Sequence, residues 1–183
     1  MLRKSIAIFG AVVASALIGV MIAAMFLPTA FRIERTIMIK VPPEAIFPLL
    51  TDLRAWQGWS PWEGKDPALK RTYTGAESGV GAVYAWEGND AVGAGRMEIT
   101  EVTVPSRMAM RLDFLRPFEA HNQVVFTLTP AEGAARGATT VSWVMTGENP
   151  FLAKVVQVFV SLDAMVGPDF EAGLANLRRA AEK

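Results

Sequence analysis

Between Ser5 and Phe31 the sequence carries no charged residue, and Ile6–Leu27 (IAIFGAVVASALIGVMIAAMFL) is a 22-residue apolar run. As a helix rising ~1.5 Å per residue, this run reaches about 33 Å, enough to cross a hydrocarbon core of roughly 30 Å. A cleavable leader has a shorter apolar stretch, about 7–15 residues, and ends at small residues spaced A-x-A. This run ends Met25-Phe26-Leu27, and the one tolerable site, Pro28-Thr29-Ala30, holds a proline. An uncleaved single-pass anchor is therefore expected. It divides the chain into a tail (1–5), a membrane anchor (6–27), a linker (28–31) and a domain (32–183). Arg3, Lys4 and the free amine flank one side, and Arg32, Arg35 and Lys40 the other, so the positive-inside count is nearly tied. A short tail bearing only positive charge is easiest to retain in the cytoplasm. That places the domain on the extracytoplasmic (periplasmic) side of a cell (inner) membrane.

The composition of the 183 residues excludes more chemistry than it proposes. There is no cysteine, which removes disulfides, thiolate metal sites and a cysteine nucleophile. One histidine, His121, excludes a paired-histidine metal motif. Beyond the anchor, sixteen basic residues face eighteen acids, a formal charge of −2, so the electrostatic footprint of a nucleic-acid binder is missing. Gly79-Val80-Gly81 and Gly93-Ala94-Gly95 sit before strands rather than opening helices, and so fail the context test for dinucleotide binding. No cofactor and no metal are expected.

Phe31–Lys40 alternates apolar and polar with the period of a half-buried strand. Pro42-Pro43 then stops the strand and starts a short helix over Ala45–Leu53. A tryptophan-rich segment follows, Trp56-Gln57-Gly58-Trp59-Ser60-Pro61-Trp62. Six further strands are predicted at Lys70–Thr74, Val80–Trp86, Gly95–Val104, Arg107–Leu115, Glu119–Thr129 and Ala138–Thr146. Each ends at Gly or Pro, the punctuation of an antiparallel meander. Phe151–Met165 and Asp169–Ala181 change to helical period, with an interruption or hinge expected at Gly167-Pro168. Segregated strands and helices make an α+β fold.

Residues of one parity share a sheet face. Met97 and Ile99; Met108, Met110, Leu112 and Phe114; Val124, Phe126 and Leu128; and Val141, Trp143 and Met145 form an apolar concave face. Glu98, Arg111, Asp113, Thr127 and Ser142 fall on the other side. The C-terminal helix is the natural cover.

With Phe47–Trp62 (FPLLTDLRAWQGWSPW), Gly79–Gly88 (GVGAVYAWEG), Gly93–Ile99 (GAGRMEI) and Asp169–Leu177 (DFEAGLANL), the chain resembles the START-like superfamily. This superfamily is also called Bet v 1-like, SRPBCC or polyketide cyclase-type, and the likeness is to a membrane-anchored bacterial subgroup. The resemblance runs from about Arg32 to Ala180. It implies a helix-grip fold: a seven-stranded antiparallel sheet wrapped around a long C-terminal helix, with two short helices after the first strand and a hydrophobic cavity inside. It carries no shared catalytic motif, so no catalytic residue is transferred. The implied partner is a hydrophobic small molecule or lipid. A cyclase or dehydratase acting on a hydrophobic carbonyl compound is the enzymatic alternative, and an interaction module of a membrane assembly is a third.

The residues expected to line such a cavity are Trp59, Trp62, Tyr84, Trp86, Met97, Met110, Phe114, Asn122, Phe126, Trp143 and Phe159. Trp56, Trp59 and Trp62 either plug one end of the sheet or meet a ligand through amphipathic rings. Tyr84 and Asn122 offer polar groups to an apolar chamber, as orientation of a ligand requires. The methionines suit a tolerant pocket or an ordinary adaptable core. His121 has opposite parity to Asn122 and is expected outward or at the rim, and Arg96 with Glu98 is an ordinary surface pair. Phe151–Val160 is apolar almost all round, so it is packed, a gate, or touches the membrane. The interaction-module alternative predicts a filled core with an exposed apolar patch here.

Overall fold

The computed structural model describes residues 2–183. Helix α1 (Leu2–Phe26) passes through Leu27, Pro28 and Thr29 into strand β1 (Ala30–Ile39). Within α1, Phe9–Phe26 is long and apolar enough to cross a membrane. Pro43 occupies the first turn of helix α2 (Pro43–Thr51), where its missing N–H costs nothing. A 3-10 turn at Ala55–Gly58 is the second short helix. Strands β2 (Lys70–Gly75), β3 (Ala82–Glu87), β4 (Ala94–Thr103), β5 (Arg107–Arg116), β6 (Ala120–Pro130) and β7 (Thr139–Glu148) follow, then helices α3 (Phe151–Gln157) and α4 (Leu162–Ala181). The seven antiparallel strands are ordered β1-β7-β6-β5-β4-β3-β2, so the meander from β2 to β7 is closed by β1 on its far edge. This is the expected α+β helix grip.

Strand register turns the concave face into rows. At the end where α1 enters and β7 leaves, the outermost row is Trp86, Gly95, Phe114 and Ala120. The next row is Tyr84, Met97, Leu112, Asn122, Gly147 and Phe31. Behind it lie Ile99, Met110, Val124, Met145 and Ile33, and behind those Met108, Phe126, Trp143 and Arg35. Gly95 is required by packing, because a Cβ there would lie 2.5 Å from the Trp86 ring.

Helix α4 lies along β1 and is clamped to it. Arg35 places Nη1 2.8 Å from Asp163 and Nε 2.8 Å from Glu171. The expected hinge at Gly167-Pro168 is not found, since both residues lie inside continuous α4. Gly167 serves packing instead: the Arg35 guanidinium occupies the space a side chain would take. The break falls earlier, at 158–161, where the Ser161 hydroxyl accepts from the Ala164 N–H at 3.1 Å and starts a new helix. Helices α3 and α4 are bent 86° from one another there.

Truncating Phe126 to Ala is expected to cost about 3–5 kcal/mol in denaturant unfolding. Ser161→Ala, which removes only a cap, is expected to cost about 1 kcal/mol.

Candidate functional site

The expected site residues separate into three groups. Trp59, Met110, Phe126 and Trp143 are fully buried in the core. Phe170 of α4 stacks on Trp143 with centroids 4.2 Å apart, and Phe126 lies 4.8 Å from Trp143 on the sheet side. Trp56 and Trp59, 4.5 Å apart, meet both Phe126 and Trp143 edge-on. Their indole N–H groups donate to the Leu50 and Leu49 carbonyls near the end of α2, at 3.0 Å each. These are helix-terminal carbonyls that α2 leaves without intrahelical partners. Trp56 and Trp59 are thus packed into the core at this end of the sheet. The interior expected to be hollow is, in this half of the grip, packed with rings.

Tyr84, Trp86, Met97, Phe114 and Asn122 gather at the other end, whereas Trp62 stays with the aromatic cluster, edge-on to Trp143 at 5.9 Å and to Phe170 at 6.2 Å. Here burial is mixed: Ile99, Met110, Val124, Met145 and Ile33 are all buried, whereas in the two outer rows Tyr84, Met97, Asn122 and Gly95 are buried and Phe31, Leu112, Phe114 and Trp86 are half-buried. Leu162 and Val166 of α4 and Trp62 pack against the core as partly buried neighbours. The result is a rim of apolar side chains at the end of the sheet where α1 and α3 attach. Asn122 is buried in it, and its Oδ1 has no hydrogen-bond partner among the described residues. Gly147 makes room for that oxygen, since a Cβ there would collide with it and with the Phe31 ring. The Trp143 indole N–H, two rows deeper, is likewise buried without a partner. An unmade hydrogen bond at a buried amide typically costs about 1–3 kcal/mol.

Phe159 is not brought to this set. It is 72% exposed in the break after α3, far from the buried state expected of a cavity-lining residue. The expectation assumed that an apolar helix next to a grip turns its rings inward, and α3 does the reverse.

Tyr84 faces inward but its hydroxyl is already engaged. It donates to Glu63 Oε1 at 2.8 Å, while Arg71 Nε donates to Glu63 Oε2 at 2.7 Å. Tyr73 stacks on Tyr84 at 5.0 Å. Burial, and then the Glu63 carboxylate, hold the Tyr84 hydroxyl far above its ordinary titration range. Glu63 is a site residue the sequence reading missed, although it stands directly after the tryptophan segment as an acid among apolar rings. It also borders an open polar cleft of about 330 Å³, shared with Arg71 and Asn176. His121 is exposed at the outer side, as expected, with Nδ1 2.8 Å from Asp113 Oδ1. Arg96 and Glu98 form the surface pair read from sequence, at 2.6 Å.

Residues 30–182 match the family model described as polyketide cyclase / dehydrase and lipid transport. That stretch contains every strand and omits α1. No curated protein matches the chain. Among solved structures it is similar to the Zhui aromatase/cyclase from Streptomyces sp. R1128, at 13% identity over 84% of this chain and 94% of that one, with TM-score 0.61. It is also similar to a Thermobifida fusca protein, at 18% identity over 82% and 93%, TM-score 0.59. A third likeness is to the Aha1 dimer from Colwellia psychrerythraea, at 17% identity over 83% and 96%, TM-score 0.58. At such identities the likeness is one of fold.

The hydrogen bond to Asp113 raises the His121 pKa above its ordinary 6.5. A group with a raised folded-state pKa stabilises most below its unfolded value and loses that contribution as pH rises through the folded one. The His121 ring protons should therefore titrate above 6.5 by NMR. His121→Gln should flatten the small stability loss above that pH.

Proposed function

The chain belongs to the polyketide cyclase / dehydrase and lipid transport family, and on that premise we propose that it is a membrane-anchored binder of a hydrophobic small molecule or lipid. The ligand is gripped at the rim, by Trp86, Leu112, Phe114 and Asn122, rather than in a deep internal cavity. The observation that carries this reading is the buried, unpartnered Oδ1 of Asn122 among half-buried apolar side chains. An apolar ligand segment covering Leu112 and Phe114 gains about 25 cal/mol per Å² removed from water, before the costs of association. A hydroxyl or amide N–H on the ligand would satisfy Asn122 and fix the register. Because the aromatic cluster closes the inner half of the grip, the site suits the end of a chain or a single ring.

A cyclase or dehydratase is the second reading. It draws on the Tyr84 hydroxyl, which is held protonated against Glu63 and so is kept as a donor. That reading requires Tyr84→Phe to abolish turnover of a hydrophobic carbonyl compound while leaving the fold intact.

Native mass spectrometry of the full chain released from host membranes, with extraction of whatever accompanies it, tests the binding reading. A stoichiometric hydrophobic ligand is expected. Its affinity should fall about tenfold or more in Asn122→Leu, the loss of one buried hydrogen bond. A clean unliganded mass that persists against a lipid panel would sink the proposal in favour of an interaction module.

A further inference from the structure

Helix α3 has an apolar outer face, and its only two polar side chains are turned toward the junction with α1. Lys154 Nζ donates to Thr29 Oγ1 at 2.8 Å, and Gln157 Nε2 donates to Asn149 Oδ1 at 2.9 Å. Phe151, Leu152 and Val156 of α3, with Phe159 and Val160 after it, are each 47% exposed or more, and no residue of α3 is buried. A surface helix in water places these two classes the other way round. The inversion is coherent with a neighbour other than water.

Three further observations identify that neighbour. The first is the connection to α1. Only Leu27, Pro28 and Thr29 separate α1 from β1, so the start of β1 stays within about 15 Å of the end of α1. The second is that the junction is fixed. Asn149 donates from its backbone to Thr29 O at 2.6 Å and from Nδ2 to Pro28 O at 3.2 Å, α3 packs against α1, and Ala24 of α1 is fully buried. The third is a second apolar element at the same end of the sheet. Leu115, near the end of β5, is 59% exposed and Phe118, in the β5–β6 turn, is 62% exposed, one strand away from where β7 leads into α3.

We propose that the outer face of α3 and the tip of the β5–β6 turn are seated in the bilayer surface, so that the rim of the grip opens onto the membrane. This rests on the reading of α1 as a membrane anchor. An interfacial helix of this kind buries its apolar face about 5–10 Å into the headgroup and acyl boundary. Phe159, which sequence reasoning assigned to a cavity, belongs to this surface. The occupant is lipid rather than a protein groove because α3 packs directly against α1, an apolar helix long enough to cross a membrane.

The chain has no cysteine, so single reporters can be introduced anywhere. Phe159→Cys, Phe118→Cys, Leu17→Cys and Thr129→Cys, each in the full chain, would carry an environment-sensitive fluorophore. The proteins would be reconstituted in phosphatidylethanolamine/phosphatidylglycerol vesicles. Quenching by nitroxide-labelled lipid is compared with quenching by aqueous iodide. At positions 17, 118 and 159 lipid quenching should dominate, with iodide quenching about threefold or more weaker at 118 and 159 than at 129, as interfacial burial requires. Leu17 in lipid with Phe118 and Phe159 open to iodide overturns the seating and leaves the anchor standing. Leu17 and Phe159 both in water overturn both readings. Phe159 shielded from both quenchers overturns the bilayer as occupant and assigns the face to a protein partner.

Discussion

The stack of Phe170 on Trp143 is the contact on which the rest of the molecule depends. It is where α4 touches the concave face of the sheet, with centroids 4.2 Å apart. Gly173, three residues further along α4, permits the approach, since a Cβ there would sit 2.8 Å from the Trp143 ring. Trp56, Trp59, Trp62 and Phe126 then close around the stack. Large rings in offset and edge contacts bury more apolar area than any aliphatic set of the same length. They also leave no room for a ligand beside them. The helix grip thereby becomes asymmetric, closed at one end by aromatic packing and partly exposed at the other.

Much of this was legible in the sequence, because the strand period ties each residue to one face. Seven strands, the concave parity and the outward side chains of Arg96, Glu98 and His121 all follow from alternation, which water on one face and a core on the other impose. What alternation does not encode is distance between segments. Tyr84 and Glu63 are 21 residues apart, and their hydrogen bond depends on how the tryptophan segment folds back over β3. For the same reason Tyr84 reads from sequence as a free hydroxyl when it is an occupied one. The break between α3 and α4 was misplaced because proline was weighed above a cap. Pro168, the seventh residue of α4, forfeits one hydrogen bond and crowds the carbonyl four residues back, but the helix runs through it, whereas Ser161 at 3.1 Å from the Ala164 N–H supplies a new start.

Phe159 shows a different limit. The rule that rings turn inward is a statement about water, not about residues. The apolar face of a helix turns toward whatever medium is least polar. In α3 the lysine and glutamine are satisfied by Thr29 and Asn149, which are themselves parts of the junction with α1. The polar groups thus tie the helix to the domain, and the apolar groups are left to an outside neighbour. Sequence alone gives the composition of this face but not its direction.

Direction matters for what the rim can do. Each methylene exposed to water costs about 0.8 kcal/mol. A ligand that had to bring six methylenes across an aqueous gap would therefore meet a barrier of about 5 kcal/mol above its binding costs. On the proposed seating of α3 and the β5–β6 tip in the bilayer surface, that gap is absent. A chain end can lie over Leu112 and Phe114 while the rest of the molecule stays in lipid. The shallow depth left by the aromatic cluster is then no handicap, because the membrane solvates what the grip does not cover. A filled core and a hydrophobic-ligand function, which conflict for a protein free in water, are compatible for one seated on a membrane.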